Sequence, residues 1–234
     1  MKKKARARQR EFAFVTWGGK RPGAGRKPES EKAGVPHAKR EKISERFPLH
    51  VTLEVVKGLP SLRRKESHQE LLRAFGAGGE RFGFRLLHYS VQTNQVHLIA
   101  EAKHERALAR GMQGLSIRVA RGLNRLWRRS GKVFADRFHV QVLKTPKEVR
   151  NALACVLLDA NHHGIRHVDG PDPCSSGAFF DGWKNGEAHR ARATRSSRTG
   201  AAIHAESKAP FLAPARSWLL RVGWRRHGLL SLRA

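Results

Sequence analysis

Three stretches in the first half of the chain either alternate apolar with polar positions or are largely apolar, and each predicts a strand. They cover residues 49–56, 82–92 and 95–102. The first is rich in the β-branched residues that strands favour. Thr93-Asn94 separates the second stretch from the third, so these two strands are predicted to form a hairpin.

Apolar residues three and four positions apart predict a long helix over 104–129. The apolar stripe of this helix consists of Leu108, Met112, Leu115, Val119, Leu123 and Leu126. A shorter helix is predicted over 63–81, with glycines interrupting its end. After an extended stretch at 132–144, a last helix is predicted to begin at Pro146 with Thr145 as its N-cap, and to end between 161 and 164.

The predicted order is strand, helix, strand, strand, helix, strand, helix. The rules for connecting such elements favour the α+β class, with a ferredoxin-like antiparallel sheet and helices on one face. Residues 48–165 would form this domain. Residues 1–47 are predicted to be a basic flexible arm, and 166–234 a loop, a linker and a short basic helix over 217–230. This helix could dock on its own domain, on a second copy or on DNA.

The charge balance points to a polyanionic partner. The 234 residues include 47 Lys and Arg against 19 Asp and Glu, a formal net charge of +28. Each neutralised phosphate releases counterions, so nucleic acid is the natural partner. No apolar run is long enough to span a membrane, and the start of the chain lacks a signal-peptide core. The sequence therefore indicates a soluble cytosolic protein that binds nucleic acid and not a membrane.

Basic residues are concentrated at two places. In the Gly- and Pro-rich arm, Arg21, Arg26 and Lys27 could enter a narrow minor groove or contact phosphates from a solvated tail. The long helix carries a second set, which could be a solvated face or a face that follows phosphates. It consists of Arg106, Arg110, Arg118, Arg121, Arg125, Arg128 and Arg129. Such like charges repel one another on a helix, which favours the phosphate interpretation.

Gln95 and His97 form a candidate site because residues two apart on a strand share one face. Two histidines placed this way would offer two nitrogens to a metal ion, but glutamine is a poor ligand beside imidazole. The alternative is an ordinary histidine on a half-buried strand. Cys155 and Cys174 form neither a disulfide framework nor a four-ligand zinc site.

Several short segments, in this order along the chain, resemble the REP-associated tyrosine transposases, relatives of the insertion-sequence-200-like single-tyrosine transposases. They are residues 17–28, 50–53, 94–98, 111–115, 133–139 and 151–161. The resemblance implies single-stranded DNA cleavage and rejoining at hairpin-flanked sites. It also implies a Mg²⁺ or Mn²⁺ site with a His-hydrophobic-His pair, a tyrosine nucleophile on the last helix, and a bacterial, nucleoid-associated protein.

Carried onto this chain, the resemblance places the metal ligands at Gln95, His97 and Asp159, and the nucleophile at Cys155. Glutamine and cysteine depart from the family pattern at the two decisive positions, so cleavage is expected to be lost or strongly impaired. Cys155 would be either a nucleophile with a lowered pKa or an inert helix cysteine. Tyr89, the one tyrosine of the chain, shares a predicted strand face with neighbouring apolar residues and is expected to pack in the sheet.

Two other functions remain open. A non-enzymatic binder of structured or single-stranded DNA could use Trp17, Trp127 and Trp183 as stacking platforms, unless these rings are packing anchors. An RNA-binding ferredoxin-like domain is disfavoured because its central strands lack an aromatic pair. Monomer and homodimer are both compatible with the sequence. Mg²⁺ or Mn²⁺ is expected only if the chain cleaves DNA.

Overall fold

The computed structural model describes residues 41–162, 171–184 and 211–232, with the backbone alone at 159–162. Five strands are present, namely β1 (Leu49–Glu54), β2 (Glu80–Arg81), β3 (Phe84–Val91), β4 (Gln95–Ala102) and β5 (His139–Val142). The helices are α1 (Lys65–Gly78), α2 (Glu105–Leu126), α3 (Pro146–His162) and the short α4 (Trp218–Arg221). Two 3-10 helices cover Ser176–Phe179 and Gly223–His227.

The strands form one antiparallel sheet in the order β2-β3-β4-β1-β5. Without the short edge strand β2, this order and the helical connections are those of a ferredoxin-like α+β fold, which confirms the predicted fold class. In the centre, Thr52 lies opposite His97 and His50 lies opposite Ile99. Strand β5 extends the same sheet, with Thr52 opposite His139.

The helices are divided between the two faces of the sheet. Helices α1 and α2 share one apolar core with alternate residues of β4, among them Val96 and Leu98. Helix α3 belongs to a second apolar core that includes Leu87 and Ile99, on the opposite face. The predicted single helical layer thus holds for α1 and α2, whereas α3 covers the other side because β4 carries apolar residues on both faces.

Several sequence-based boundaries differ from the structure. The long helix predicted over 104–129 ends at Leu126, and the extended stretch predicted at 132–144 contains a strand only over His139–Val142. The helix predicted over 63–81 ends at Gly78, and Glu80–Arg81 pairs with β3 as a hairpin. The turn of this hairpin is Phe82-Gly83, with φ of +54° and +79°. The strand predicted over 82–92 therefore begins later, at Phe84. The start of α3 is as predicted, since the backbone N–H of Glu148 donates to Thr145 Oγ1 over 3.2 Å.

The C-terminal part of the chain packs on its own domain. Asp172 is buried and accepts hydrogen bonds of 2.6 and 2.7 Å from the guanidinium of Arg63. Trp183 and Trp224 are buried against α3 in the second core. The sequence did not show whether residues 217–230 dock on their own domain, on a second copy or on DNA. In the structure they form a short helix and a 3-10 helix that pack on their own domain. No helix among the described residues is both long and apolar enough to cross a membrane.

Candidate functional site

Gln95 and His97 lie on the sheet face against which α3 packs. Both alternate along β4 with residues of the core under α1 and α2, and both are half-buried. His97 Nδ1 is 3.3 Å from His50 Nε2 and 3.3 Å from Thr52 Oγ1. Strand β1, which lies beside β4 in the sheet, brings both of these neighbours to His97.

His50 is held in its neutral form. Burial, followed by the neighbouring rings of His97 and His139, lowers the pKa of His50 to about 4. The rings of His50 and His97 are tilted by 34° with centroids 5.5 Å apart. A neutral imidazole can accept a hydrogen bond with one nitrogen and donate with the other. In the contact between His50 and His97, one nitrogen therefore carries the proton and the other accepts it.

The donors that the structure shows around His97 differ from those of an ordinary Mg²⁺ or Mn²⁺ site. These ions prefer carboxylate and water oxygens, whereas an imidazole nitrogen and a hydroxyl lie within hydrogen-bond distance of His97 Nδ1. Within residues 41–158, 171–184 and 211–232, no three His, Cys, Asp or Glu side chains are grouped closely enough to hold a metal ion. The Asp159 side chain lies outside the described residues, so the set of Gln95, His97 and Asp159 stays a prediction.

Cys155 lies on α3, which contacts both β3 and β4. Its side chain is half-buried, whereas that of Cys174 is buried. Helix α3 packs on the sheet face that carries His97. The role of Cys155 as a nucleophile stays a prediction.

Tyr89 lies on the sheet face opposite to that of Gln95 and His97. It is 3% exposed and contacts the rings of Phe75 and Phe211 in the core under α1 and α2. Burial, followed by the neighbouring Cys174 and Asp172, raises the pKa of its hydroxyl far above the ordinary value. The predicted packing role is confirmed, although a β-bulge between Leu86 and His88 turns Leu87 to the opposite face.

The arginines of α2 separate into exposed and engaged residues. Arg106, Arg110, Arg121, Arg125 and Arg128 are exposed. Two others are half-buried. Arg118 Nη1 lies 3.1 Å from where a Cβ on Gly78 would sit, so its guanidinium covers the end of α1. Arg129 donates to Asn124 Oδ1 over 2.9 Å and to the Lys132 carbonyl, which closes the turn after α2.

The exposed arginines of α2 lie on the side opposite the buried stripe of Leu108 and Leu115, in two groups. Arg106 and Arg110 are four residues apart near the start of the helix. Arg121 and Arg125 are four apart near its end, and Arg128 follows in the turn after the helix. Within the part of the chain that the structure describes, no ion pair engages these arginines. We call Arg106, Arg110, Arg121, Arg125 and Arg128 the arginine face. The predicted contacts of Arg21, Arg26 and Lys27 lie outside the described residues.

Two of the predicted stacking residues are held within the fold. Trp183 is 2% exposed and donates from Nε1 to the Gly177 carbonyl over 2.9 Å. Trp127 is half-buried, with Nε1 3.3 Å from Ser67 Oγ. Both tryptophans are therefore packing anchors and not open stacking platforms. Trp17 lies outside the described residues.

Sequence reasoning missed two exposed aromatic residues and a histidine. Phe82 and Trp218 are 69% and 48% exposed and line a cavity of about 820 Å³. Gly83, an isolated glycine within the predicted strand, was a turn signal that the chain did offer. His50 alternates with Thr52 in β1, but its contact with His97 depends on the order of strands in the sheet.

No protein-family model matches the sequence, and no curated protein matches it either. Solved structures do. One is a REP-associated tyrosine transposase bound to a REP hairpin, with 13% identity and a TM-score of 0.47, over 56% of this chain and 76% of that one. A second is a putative transposase from Deinococcus radiodurans, with 13% identity and a TM-score of 0.37, over 57% of this chain and 98% of that one.

A third similar structure is a bacterial tRNA(His) guanylyltransferase (Thg1)-like protein in complex with GTP. It shares 17% identity with a TM-score of 0.38, over 54% of this chain and 68% of that one. Likenesses of this size do not assign an activity. A REP-associated tyrosine transposase, a member of the family that the sequence resembles, is thus among the similar structures, over about half of this chain.

Proposed function

We propose that this protein is a transposase-like DNA-binding protein that binds single-stranded or hairpin DNA and whose strand cleavage is lost or strongly impaired. The observation that carries the proposal is the arginine face of α2. Arg110, Arg121 and Arg125 project from one side of a well-packed helix, exposed and without carboxylate partners among the described residues. Such a row is destabilising by itself and becomes favourable when phosphates neutralise it.

The chemistry around β4 supports impaired cleavage. Gln95 stands where the transposase resemblance places a histidine, and Cys155 stands where it places a tyrosine. Tyr89 is buried on the other face of the sheet and cannot reach a DNA strand bound outside it. Cleavage, if retained, would need Mg²⁺ or Mn²⁺, whereas binding through the arginine face needs neither.

The alternative is a non-enzymatic binder retained as a repressor or as a remnant of a transposase. Both share the arginine face. They differ in that a transposase-like protein with impaired cleavage would still give a small amount of covalent adduct with DNA when a metal ion is added, whereas the alternative would give none. Hairpin binding that is equally tight in EDTA and in Mg²⁺, with no adduct, would favour the non-enzymatic binder.

The test measures the affinity of the full chain for a fluorescent hairpin DNA at several salt concentrations. The triple variant Arg110→Gln, Arg121→Gln, Arg125→Gln is expected to weaken binding and to reduce the slope of log K against log salt by about 2 to 3, since each lost phosphate contact removes about 0.7 to 0.9. Circular dichroism should show an unchanged helix content, because all three side chains are exposed.

A matched control removes three exposed cations elsewhere, through Lys57→Gln, Lys147→Gln and Arg221→Gln. The two triple variants have the same net charge, so a difference between them reports the location of the charge and not its sum. Equal salt slopes for both variants would contradict binding through the arginine face.

A further inference from the structure

The cavity of about 820 Å³ lies on the described domain, at the end of the sheet where β4 finishes. Its walls come from residues 45–47, from the β2–β3 hairpin and from residues 216–219. Its volume is within the range of pockets that hold small organic ligands. We call it the aromatic groove because Phe82 and Trp218 line it.

Phe82 has a conformation that is rare for an aromatic residue. Its φ is +54° in a two-residue turn, and the side chain is 69% exposed. Such turns favour Asn, Asp or Gly, because a bulky side chain is strained in the left-handed region. Phenylalanine at position 82 therefore carries two costs, a strained backbone and an apolar ring exposed to water. Packing within the fold explains neither of these costs.

Trp218 is held in place with much of its ring open. The guanidinium of Arg226 lies over the ring, 4.8 Å from its centroid. A Cβ on Gly223 would be only 2.7 Å from Trp218 Cζ3, so the ring rests directly on that glycine. The ring is nevertheless 48% exposed and lines the groove, which makes it a pre-oriented flat surface.

One buried ion pair fixes both walls of the groove. Glu101 accepts a hydrogen bond of 2.8 Å from Arg85 in the first residues of β3. It also accepts from the backbone N–H groups of Arg216 and Ser217, over 3.0 and 2.8 Å. The hairpin that carries Phe82 and the segment that carries Trp218 are therefore positioned by the same carboxylate.

The charges around the groove suit an anion. Arg46, Arg81, Lys103 and Arg216 are exposed along its walls. Two exposed carboxylates, Glu45 and Glu80, also line it. Glu80 is occupied by Arg85 Nε at 3.1 Å and lies 3.7 Å from Arg216 Nη2. The cations therefore exceed the free carboxylates at the rim.

We propose that the aromatic groove binds unpaired nucleotides of single-stranded DNA, with bases stacked on Phe82 and Trp218 and phosphates held by Arg81, Lys103 and Arg216. Flat apolar rings beside cations are the arrangement that binds single strands, since every base has a face for stacking and every nucleotide a phosphate. A duplex cannot use the rings because its bases are already stacked. The inference rests on the proposed function, namely that the chain binds DNA, and adds a second contact surface.

The test compares an unstructured oligo-dT with a blunt hairpin that lacks unpaired ends, using the full chain and fluorescence anisotropy. Phe82→Asn and Trp218→Ala should each weaken oligo-dT binding by about 5- to 100-fold and leave blunt-hairpin binding unchanged. Asparagine tolerates the left-handed conformation, so Phe82→Asn keeps the fold. Trp218→Phe should retain most of the oligo-dT affinity because the ring is kept.

Val222→Asn is the matched control, since Val222 is 51% exposed and does not line the groove. Native affinity of Phe82→Asn and Trp218→Ala for oligo-dT, with the α2 arginine variant still defective on the hairpin, would overturn the groove and leave the proposed function standing. Failure of the native chain to bind either DNA would overturn the proposed function itself. Tighter binding of oligo-U than of oligo-dT would overturn the assignment to DNA.

Discussion

Arg85 Nη1 and Glu101 Oε2 form an ion pair of 2.8 Å in which both side chains are almost completely buried, 6% and 5% exposed. Arg85 also donates to the Pro214 carbonyl, and Glu101 accepts from the N–H groups of Arg216 and Ser217. The pair thus joins β3, β4 and the C-terminal segment through one network. A charge buried this way is stabilising only while its partner remains.

Glu101→Gln should therefore destabilise the protein by about 3 kcal/mol, because the buried guanidinium of Arg85 keeps only the half-exposed Glu80 as a counter-charge. The free energy of unfolding is measured by urea titration, with circular dichroism as the signal. Arg73→Gln is the control, since Arg73 is 71% exposed in its pair with Glu70 and should change the free energy of unfolding by less than about 1 kcal/mol. Equal effects of the two substitutions would contradict a structural role for the buried pair.

Gly111 is required by the packing of α2 on β3. A Cβ on Gly111 would lie 2.3 Å from Phe84 Cγ and 2.4 Å from Phe84 Cβ, so helix and strand would have to separate. Gly111→Ala should cost about 1–3 kcal/mol of stability, as overpacking does, despite the better helix propensity of alanine.

Gly114→Ala on the same helix is its matched control. There a new Cβ would meet only the mobile end of Arg118, 3.0 Å away, so the helix propensity should dominate and stabilise by about 0.5–1 kcal/mol. Thermal unfolding of the two variants should shift in opposite directions. A loss of stability at both positions would show that the crowding at Phe84 is not the cause.

The long helix could be predicted because its apolar residues recur with one clear period, and the strand over Gln95–Ala102 because it is a short, largely apolar stretch that follows a turn. The position of α3 could not, since Val96 and Ile99 are both apolar and a strand buried on both faces does not show which face takes the next helix. The contact of His50 with His97 requires strand order, and the aromatic groove joins residues 82 and 218. The spacing of residues along the chain therefore predicts neither the contact of His50 with His97 nor the aromatic groove.

Stability should fall as the pH is lowered from about 6.5 to 4, in part through His88. Burial lowers the pKa of this ring to about 4, more than the neighbouring Asp181 raises it. His88 Nδ1 lies 3.3 Å from Ser176 Oγ, and its ring meets Phe180 edge-on at 5.5 Å. Between the two pKa values only the unfolded chain binds the proton, so acid favours unfolding.

His88→Gln should therefore flatten the dependence of unfolding free energy on pH in this window, by at most about 1.4 kcal/mol per pH unit for one group. Urea unfolding at intervals between pH 4 and 7 measures it. His227→Gln is the control, because His227 is exposed on the C-terminal 3-10 helix. An identical slope for native protein and His88→Gln would show that His88 is not the group that titrates.

The most direct test of impaired cleavage is a denaturing gel of hairpin-forming single-stranded DNA incubated with the native chain and Mg²⁺ or Mn²⁺. We expect few nicks or none, because Gln95 and Cys155 replace the histidine and the tyrosine that the transposase resemblance implies. The double variant Gln95→His, Cys155→Tyr should instead form a covalent protein–DNA adduct. The phenol oxygen would bond to the phosphorus, the bond from phosphorus to the 3′-oxygen would break, and the strand that leaves would carry a 3′-hydroxyl, with a bound metal ion polarising the phosphate. Tyr89→Phe is the control and should change nothing, because Tyr89 is buried on the other face. Efficient metal-dependent nicking by the native chain that disappears in Cys155→Ala would make the cysteine a working nucleophile and the hypothesis of lost or impaired cleavage wrong.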